Sequence, residues 1–130
     1  MVLELPLAAS PASAKAARLA LSELPLSAET RDTAGLLATE LITNAVRHAD
    51  LTEDATIRVS VELDGAALRI AVCDPGRQFP GIRFAAGPTE PASPGGLGLV
   101  LVERLSSRWG LERGTGTRVW CELDPSAAAA

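Results

Sequence analysis

Glu40 and Asn44 stand four residues apart in the stretch ELITNAVRHA, residues 40–49, so a helix would set them one turn from each other. A carboxylate can take a proton from a hydroxyl, and a carboxamide oxygen can ligate a hard cation such as Mg²⁺. Asp74 ends the run AALRIAVCD and keeps the parity of Leu68, Ile70 and Val72. A carboxylate aimed into an apolar layer needs hydrogen-bond donors, either from a local turn or from a ligand N–H. Gly95, Gly96 and Gly98 open the segment GGLGLVLVERL. The first turn of a helix offers unpaired N–H groups and the positive end of its dipole, and glycine there lets a phosphate come close. Thr117 heads TRVWCEL in phase with Val119, Cys121 and Leu123. An acceptor for a base, amides for phosphates and an oxygen for a metal are the needs of a magnesium–nucleotide site.

Each feature has an ordinary structural reading beside the chemical one. Shoulder positions of a helix are often polar and simply solvated. Asp74 could cap the turn at Pro75-Gly76. A glycine cluster also suits a plain loop, and Thr117 also suits a plain strand start. His48, the sole histidine, falls inside the apolar arc of its helix and reads as a packed core residue.

The elements that must position these groups follow from periodicity and punctuation. Val2 to Leu7 can form a first strand. Ser10-Pro11 reads as an N-cap with proline at the first helical position, opening a helix that stops near Glu23, before Pro25. Ser27 caps a second helix with Glu29 in its first turn, ending near His48 or Ala49. With Glu40 at zero on a wheel of about 100° per residue, Leu37, Leu41, Ala34 and Ala45 span about 60° to 140°. Asn44 falls at about 40°. Both polar groups therefore sit on the shoulder of the buried stripe and can converge at the margin of the core.

ATIRVSVEL alternates apolar and polar residues, Asp64-Gly65 marks a hairpin, and AALRIAVCD returns. A proline- and glycine-rich connection, Pro75 to about Gly95, is long enough to suggest a lid or binding loop. A third helix is expected over 97–107, and WGLE and TRVWCEL read as two more strands joined through RGTG. Half-polar strands imply one covered sheet face, and three helices suffice to cover it. The fold class is an α/β two-layer sandwich with a mixed, mostly antiparallel sheet. One domain is expected over 1–124, with a frayed tail over 125–130.

Composition narrows the function. A hydrophobic fraction of 47% fits a folded domain, and with only two Trp, two Phe and no Tyr the core must be aliphatic. Net charge is -4 and no basic run occurs, which argues against direct nucleic-acid binding. Eleven Arg against one Lys reads as the coding bias of a GC-rich, actinobacterial genome. No membrane span and no secretion signal are evident, so a cytoplasmic location is expected, with Cys73 and Cys121 as buried reduced thiols.

The motifs in order resemble the four boxes of the GHKL ATPases, which share the Bergerat fold. ELITNAVRHA is similar to their N-box, VCDPG to the D-x-G box, GGLGLVLVERL to the G-x-G-L box and GTRVW to the final G-T box. The similarity covers about residues 2 to 124 and is greatest to the small anti-sigma factor serine kinases. The resemblance implies ATP and Mg²⁺ as cofactors, with Asn44 on the metal and Glu40 as the base that accepts the proton of the attacking hydroxyl. Asp74 would accept from the adenine amino group, and Gly76 would let the base lie against the backbone. Gly96 and Gly98, with Leu97 between them, would line the phosphates, and Thr117 would help fix the adenine end.

The partners so implied are a sigma factor and a STAS-domain anti-anti-sigma protein phosphorylated on serine. The same relatives leave room for a homodimer. Gln78 departs from the family's second glycine, and the segment 77–94 offers only Arg77 and Arg83 to clamp a γ-phosphate. An alternative is therefore a catalytically weak nucleotide-binding module that acts by sequestering its partner. The ATP-binding half of a split histidine kinase is a third reading, which would need a phosphoacceptor histidine from elsewhere.

Overall fold

A computed structural model describes residues 2–10, 12–48, 55–65, 67–74, 97–113 and 116–124, with backbone alone for 47, 48, 97–100 and 113. The elements run β1 (Val2–Ala8), α1 (Ser13–Leu21), α2 (Ala28–His48), β2 (Thr56–Leu63), β3 (Leu68–Asp74), α3 (Leu97–Leu105), β4 (Arg108–Arg113) and β5 (Thr117–Leu123). The five strands form one sheet in the order β1-β2-β3-β5-β4. Every pairing between these strands is antiparallel.

Alternation decides which face of the sheet is covered. Ile57, Val59, Val61, Leu68, Ile70, Val72, Val119, Cys121 and Leu123 are buried in one core with Ala34, Leu37, Ala38, Leu41, Ile42 and Ala45 of α2. Burying each large aliphatic side chain stabilises by about 1.5–3 kcal/mol, so this interlayer core holds the fold together. The helix α2 packs on α1, α3, β3 and β5, and is the spine of the helical layer.

Local chemistry sets the helix starts. Ser27 accepts the N–H of Thr30 at 3.1 Å and donates to the Thr30 hydroxyl at 2.9 Å, the expected cap of α2. Arg31 donates to the Leu26 carbonyl at 3.0 Å and ties the α1–α2 turn to the helix. The start of α1 differs from expectation. The Ser10 carbonyl takes the Ser13 N–H at 2.9 Å, and the Ser13 hydroxyl donates back to Ala8 at 2.7 Å. That turn delays the helix to Ser13, and it ends at Leu21.

The backbone parity of the sheet follows from two hydrogen bonds at strand ends. Ala9 N–H donates to Ala55 at 2.9 Å and Asp64 N–H to Ala67 at 3.1 Å. In an antiparallel ladder the bonded pairs alternate. Hence odd residues of β1 bond β2, and even residues, Pro6 among them, turn their backbone groups outward. Pro6 lies mid-strand on an edge, where its missing N–H breaks no ladder bond. Carried across the registers, the same parity turns Trp109, Leu111 and Arg113 of β4 outward.

The other face of the sheet carries Arg58, Arg69, Arg118, Trp120 and Glu122. Arg69 and Arg108 lie over the Trp120 ring at 4.6 and 5.6 Å from its centroid. Both pair with Glu122, at 2.5 and 3.2 Å. The indole rests on Gly110, where a Cβ would sit 2.6 Å from the ring. Trp120 is thereby 8% exposed on the face away from the helices.

Candidate functional site

Helix α2 carries Glu40 and Asn44 on consecutive turns, and both are half-buried, as their shoulder positions require. Their neighbours Leu37 and Leu41 are fully buried. Between α1 and α2, Arg18 lays its stem against Gly35, where a Cβ would lie 3.3 Å from it, and donates to the Thr39 hydroxyl at 3.0 Å. Thr39 in turn donates to the Gly35 carbonyl at 2.8 Å. This latch fixes the face of α2 next to Glu40. Sequence reasoning missed it, although Gly35 inside a helical pattern was a signal of close packing.

Asp74 is the last residue of β3 and is 7% exposed, its side chain on the helix side of the sheet. Thr117, the first residue of β5, is its register partner. The parity of the ladder makes this a hydrogen-bonded pair, so their Cα atoms lie about 5.5 Å apart. A carboxylate and a hydroxyl thus stand side by side at one end of the two central strands. The helix α2 packs on both strands, and α3 packs on α2.

Leu97 and Gly98 form the first turn of α3, so their N–H groups lie at a helix start. Gly76 and Gly96 fall outside the described residues, as do Gln78, Arg77 and Arg83. The side chain of His48 is also outside them. The structure therefore brings Asp74 to Thr117 directly, and sets α2, with its Glu40/Asn44 pair, against the strands that bear them.

The donor set fits a nucleotide with its metal. A buried carboxylate can accept from an exocyclic N–H, and a helix start can face phosphate. Among the described residues no group of three or more His, Cys, Asp or Glu could hold a metal ion alone. A cation here would rest on the Asn44 amide oxygen and on the substrate's own phosphates, the usual manner for Mg²⁺.

The two thiols lie on opposite faces of the sheet and both are free. Cys121 is buried, and desolvation, aided by the Glu122 charge, pushes its pKa up to about 12. Cys73 is only half-buried, a departure from the fully buried thiol expected. Burial raises its pKa, partly countered by Arg118 and Arg58 on the flanking strands.

A family model of the histidine kinase-like ATPase domain matches residues 7–122. An uncharacterized protein of Streptomyces coelicolor is 34% identical over 85 residues, which is 65% of this chain and 78% of that one. Among solved structures, the RsbU and RsbW domains of Rv1364c from Mycobacterium tuberculosis are similar over 95% of this chain, with a TM-score of 0.69 and 22% identity. This chain spans 32% of that longer one. The histidine kinase domain of the Erythrobacter litoralis EL346 blue-light activated histidine kinase is similar over 91% of this chain, with a TM-score of 0.54 and 25% identity, and this chain spans 66% of it.

Proposed function

Since the chain belongs to the histidine kinase-like ATPase (GHKL) family, we propose that it binds ATP between α2, the ends of β3 and β5, and the start of α3. We infer further that it is an anti-sigma factor with protein serine/threonine kinase activity. Its partners would be a sigma factor and a STAS-domain antagonist, in the cytoplasm, without direct contact to nucleic acid. No helix among the described residues is long and apolar enough to cross a membrane.

The observation that carries the reading is the buried Asp74 beside Thr117, on strands against which α2, with Glu40 and Asn44 on its shoulder, packs. Asp74 accepts from the adenine amino group, and Thr117 restricts the base laterally. Asn44 would hold Mg²⁺, which when bound would supply positive charge to the phosphate oxygens. Glu40 accepts the proton of the attacking serine hydroxyl. Gly96, Leu97 and Gly98 present backbone to the phosphates, and Gly76 gives the base a close approach. Phosphoryl transfer is mainly positioning and charge neutralisation, so this small set suffices. The similarity to RsbW-containing domains supports the anti-sigma assignment at the level of fold.

Incubation with labelled ATP, Mg²⁺ and a STAS-domain protein tests the kinase. Label should appear on a serine of the antagonist. ATP binding without any transfer would favour the second reading, a regulatory module that only sequesters its partner. That reading is motivated by Gln78 in place of the family's second glycine.

A further inference from the structure

Among the described residues no group hydrogen-bonds or ion-pairs with the Glu40 carboxylate. Within that set its aim depends on the backbone of α2 alone. Leu37 and Leu41, both fully buried, hold that backbone to the sheet. Apolar burial is non-directional, so it restrains the turn of a helix about its axis less than a hydrogen bond does. The directional restraint comes from α1.

Gly35 and Thr39 stand one turn apart on the face of α2 that meets Arg18 of α1. The Arg18 Cγ and Cδ pass over Gly35, where a Cβ would lie 3.3 Å from each. Its Nη1 donates to the Thr39 hydroxyl at 3.0 Å, and that hydroxyl donates on to the Gly35 carbonyl at 2.8 Å. Glycine and threonine both weaken a helix interior, so α2 gives up local stability at the turn that leads into Glu40. The helix that bears Arg18 is itself anchored at both ends. Ser13 donates to the Ala8 carbonyl of β1, and Arg31 donates to the Leu26 carbonyl just past its end.

We propose that Arg18 is a positioning residue for Glu40, acting through Thr39. This rests on the reading of Glu40 as the base that takes the proton of the attacking hydroxyl. Thr39 is the chain neighbour of Glu40, so holding its hydroxyl limits both the turn of α2 and its slide past α1 at the point where Glu40 projects. A turn of about 10° moves a group about 6 Å from the helix axis by about 1 Å, and such a misplacement can cost about 10²-fold in rate.

Three variants of the full chain test it, read by phosphoryl transfer and by amide exchange without nucleotide. Arg18→Met keeps the apolar stem over Gly35 and removes the donor. Thr39→Val removes the hydroxyl at similar shape, and Thr39→Ser keeps it. The first two should each lower kcat about tenfold, with ATP affinity and acceptor KM unchanged, while Thr39→Ser retains most of the wild-type rate. In the nucleotide-free chain the same two should speed amide exchange across residues 39–44 and leave β3 and β5 as they were. Added to Glu40→Gln, Arg18→Met should cause no further loss of rate, because the group it aims is gone. If Arg18→Met does not fold, Thr39→Val carries the same comparisons. Unchanged kcat and exchange overturn the proposal, as does an equal loss in the Glu40→Gln background. A rise in acceptor KM alone also overturns it, since Arg18 would then be a partner contact. Glu40→Gln as active as the wild type would instead reject the base reading, and this proposal with it.

Discussion

Asp74 and Thr117 are directly opposed across β3 and β5, at one end of two strands on which α2 packs. The carboxylate is buried and the hydroxyl half-buried, and both lie on the helix side of the sheet. Two groups in one register position move as one, because shifting either would need the ladder to slip by two residues. The joint role in holding the adenine proposed for them gives the first expectation. Asp74→Asn should weaken ATP binding by about 1–3 kcal/mol, since the amide presents a donor where an acceptor is needed. Thr117→Val should cost less. Calorimetric titration with ATP measures both, and unchanged affinity in Asp74→Asn would remove Asp74 from the site.

Glu40 and Asn44 lie on one helix face but are proposed to do different work. Glu40→Gln should preserve ATP affinity and lower phosphoryl transfer by about 10²–10⁴-fold, the usual worth of a general base. Asn44→Ala should make ATP binding insensitive to Mg²⁺. Parallel titrations with and without EDTA, alongside transfer assays, separate the two effects. Equal loss of binding in both variants would point to a damaged helix rather than to divided roles.

The thiols make an independent test of the sheet. A raised pKa keeps Cys121 protonated, and only the thiolate reacts. At pH 8, Ellman's reagent should label Cys73 slowly and Cys121 only after unfolding. Stability should also depend on pH in the alkaline range. The folded thiol of Cys121 ionises near 12, whereas the unfolded one ionises near the ordinary thiol value of 9.0. The unfolded state then binds fewer protons, so this contribution is complete below about pH 9 and is lost as pH rises toward about 12. Chemical denaturation at a series of alkaline pH values reads the slope.

On the outer face, Gly110→Ala should destabilise the chain by about 1–3 kcal/mol, because the new methyl would overlap the Trp120 ring held in place by Arg69 and Arg108. Combining it with Trp120→Val should recover part of the loss. Urea melts of the single and double variants measure the coupling, and additive losses would contradict the contact.

Much of this molecule is legible in its residues. Period-2 alternation places Ile57, Val59 and Val61 toward the helices because a strand has no other way to sort side chains. The wheel of α2 puts Glu40 and Asn44 on the shoulder, where they are half-buried. Parity alone assigns Asp74 and Thr117 to the covered face, but their direct opposition depends on a register between strands far apart in the chain, which no local pattern encodes. The start of α1 is ambiguous in sequence because Ser10 can close a turn as readily as cap a helix. Trp120 reads locally as just one residue of a strand. Its place among Arg118 and Glu122 on the polar face is the signal, and the glycine opposite it is visible only once β4 and β5 are paired.

Pro6 carries a consequence beyond its own strand. A flat ribbon whose two margins both accept neighbours can extend without limit, and such chains gather into fibres. Here the β1 margin carries an imino acid at an outward-turned position, so a further strand laid along it would lack one ladder bond in its middle and an endless ribbon is disfavoured on that side.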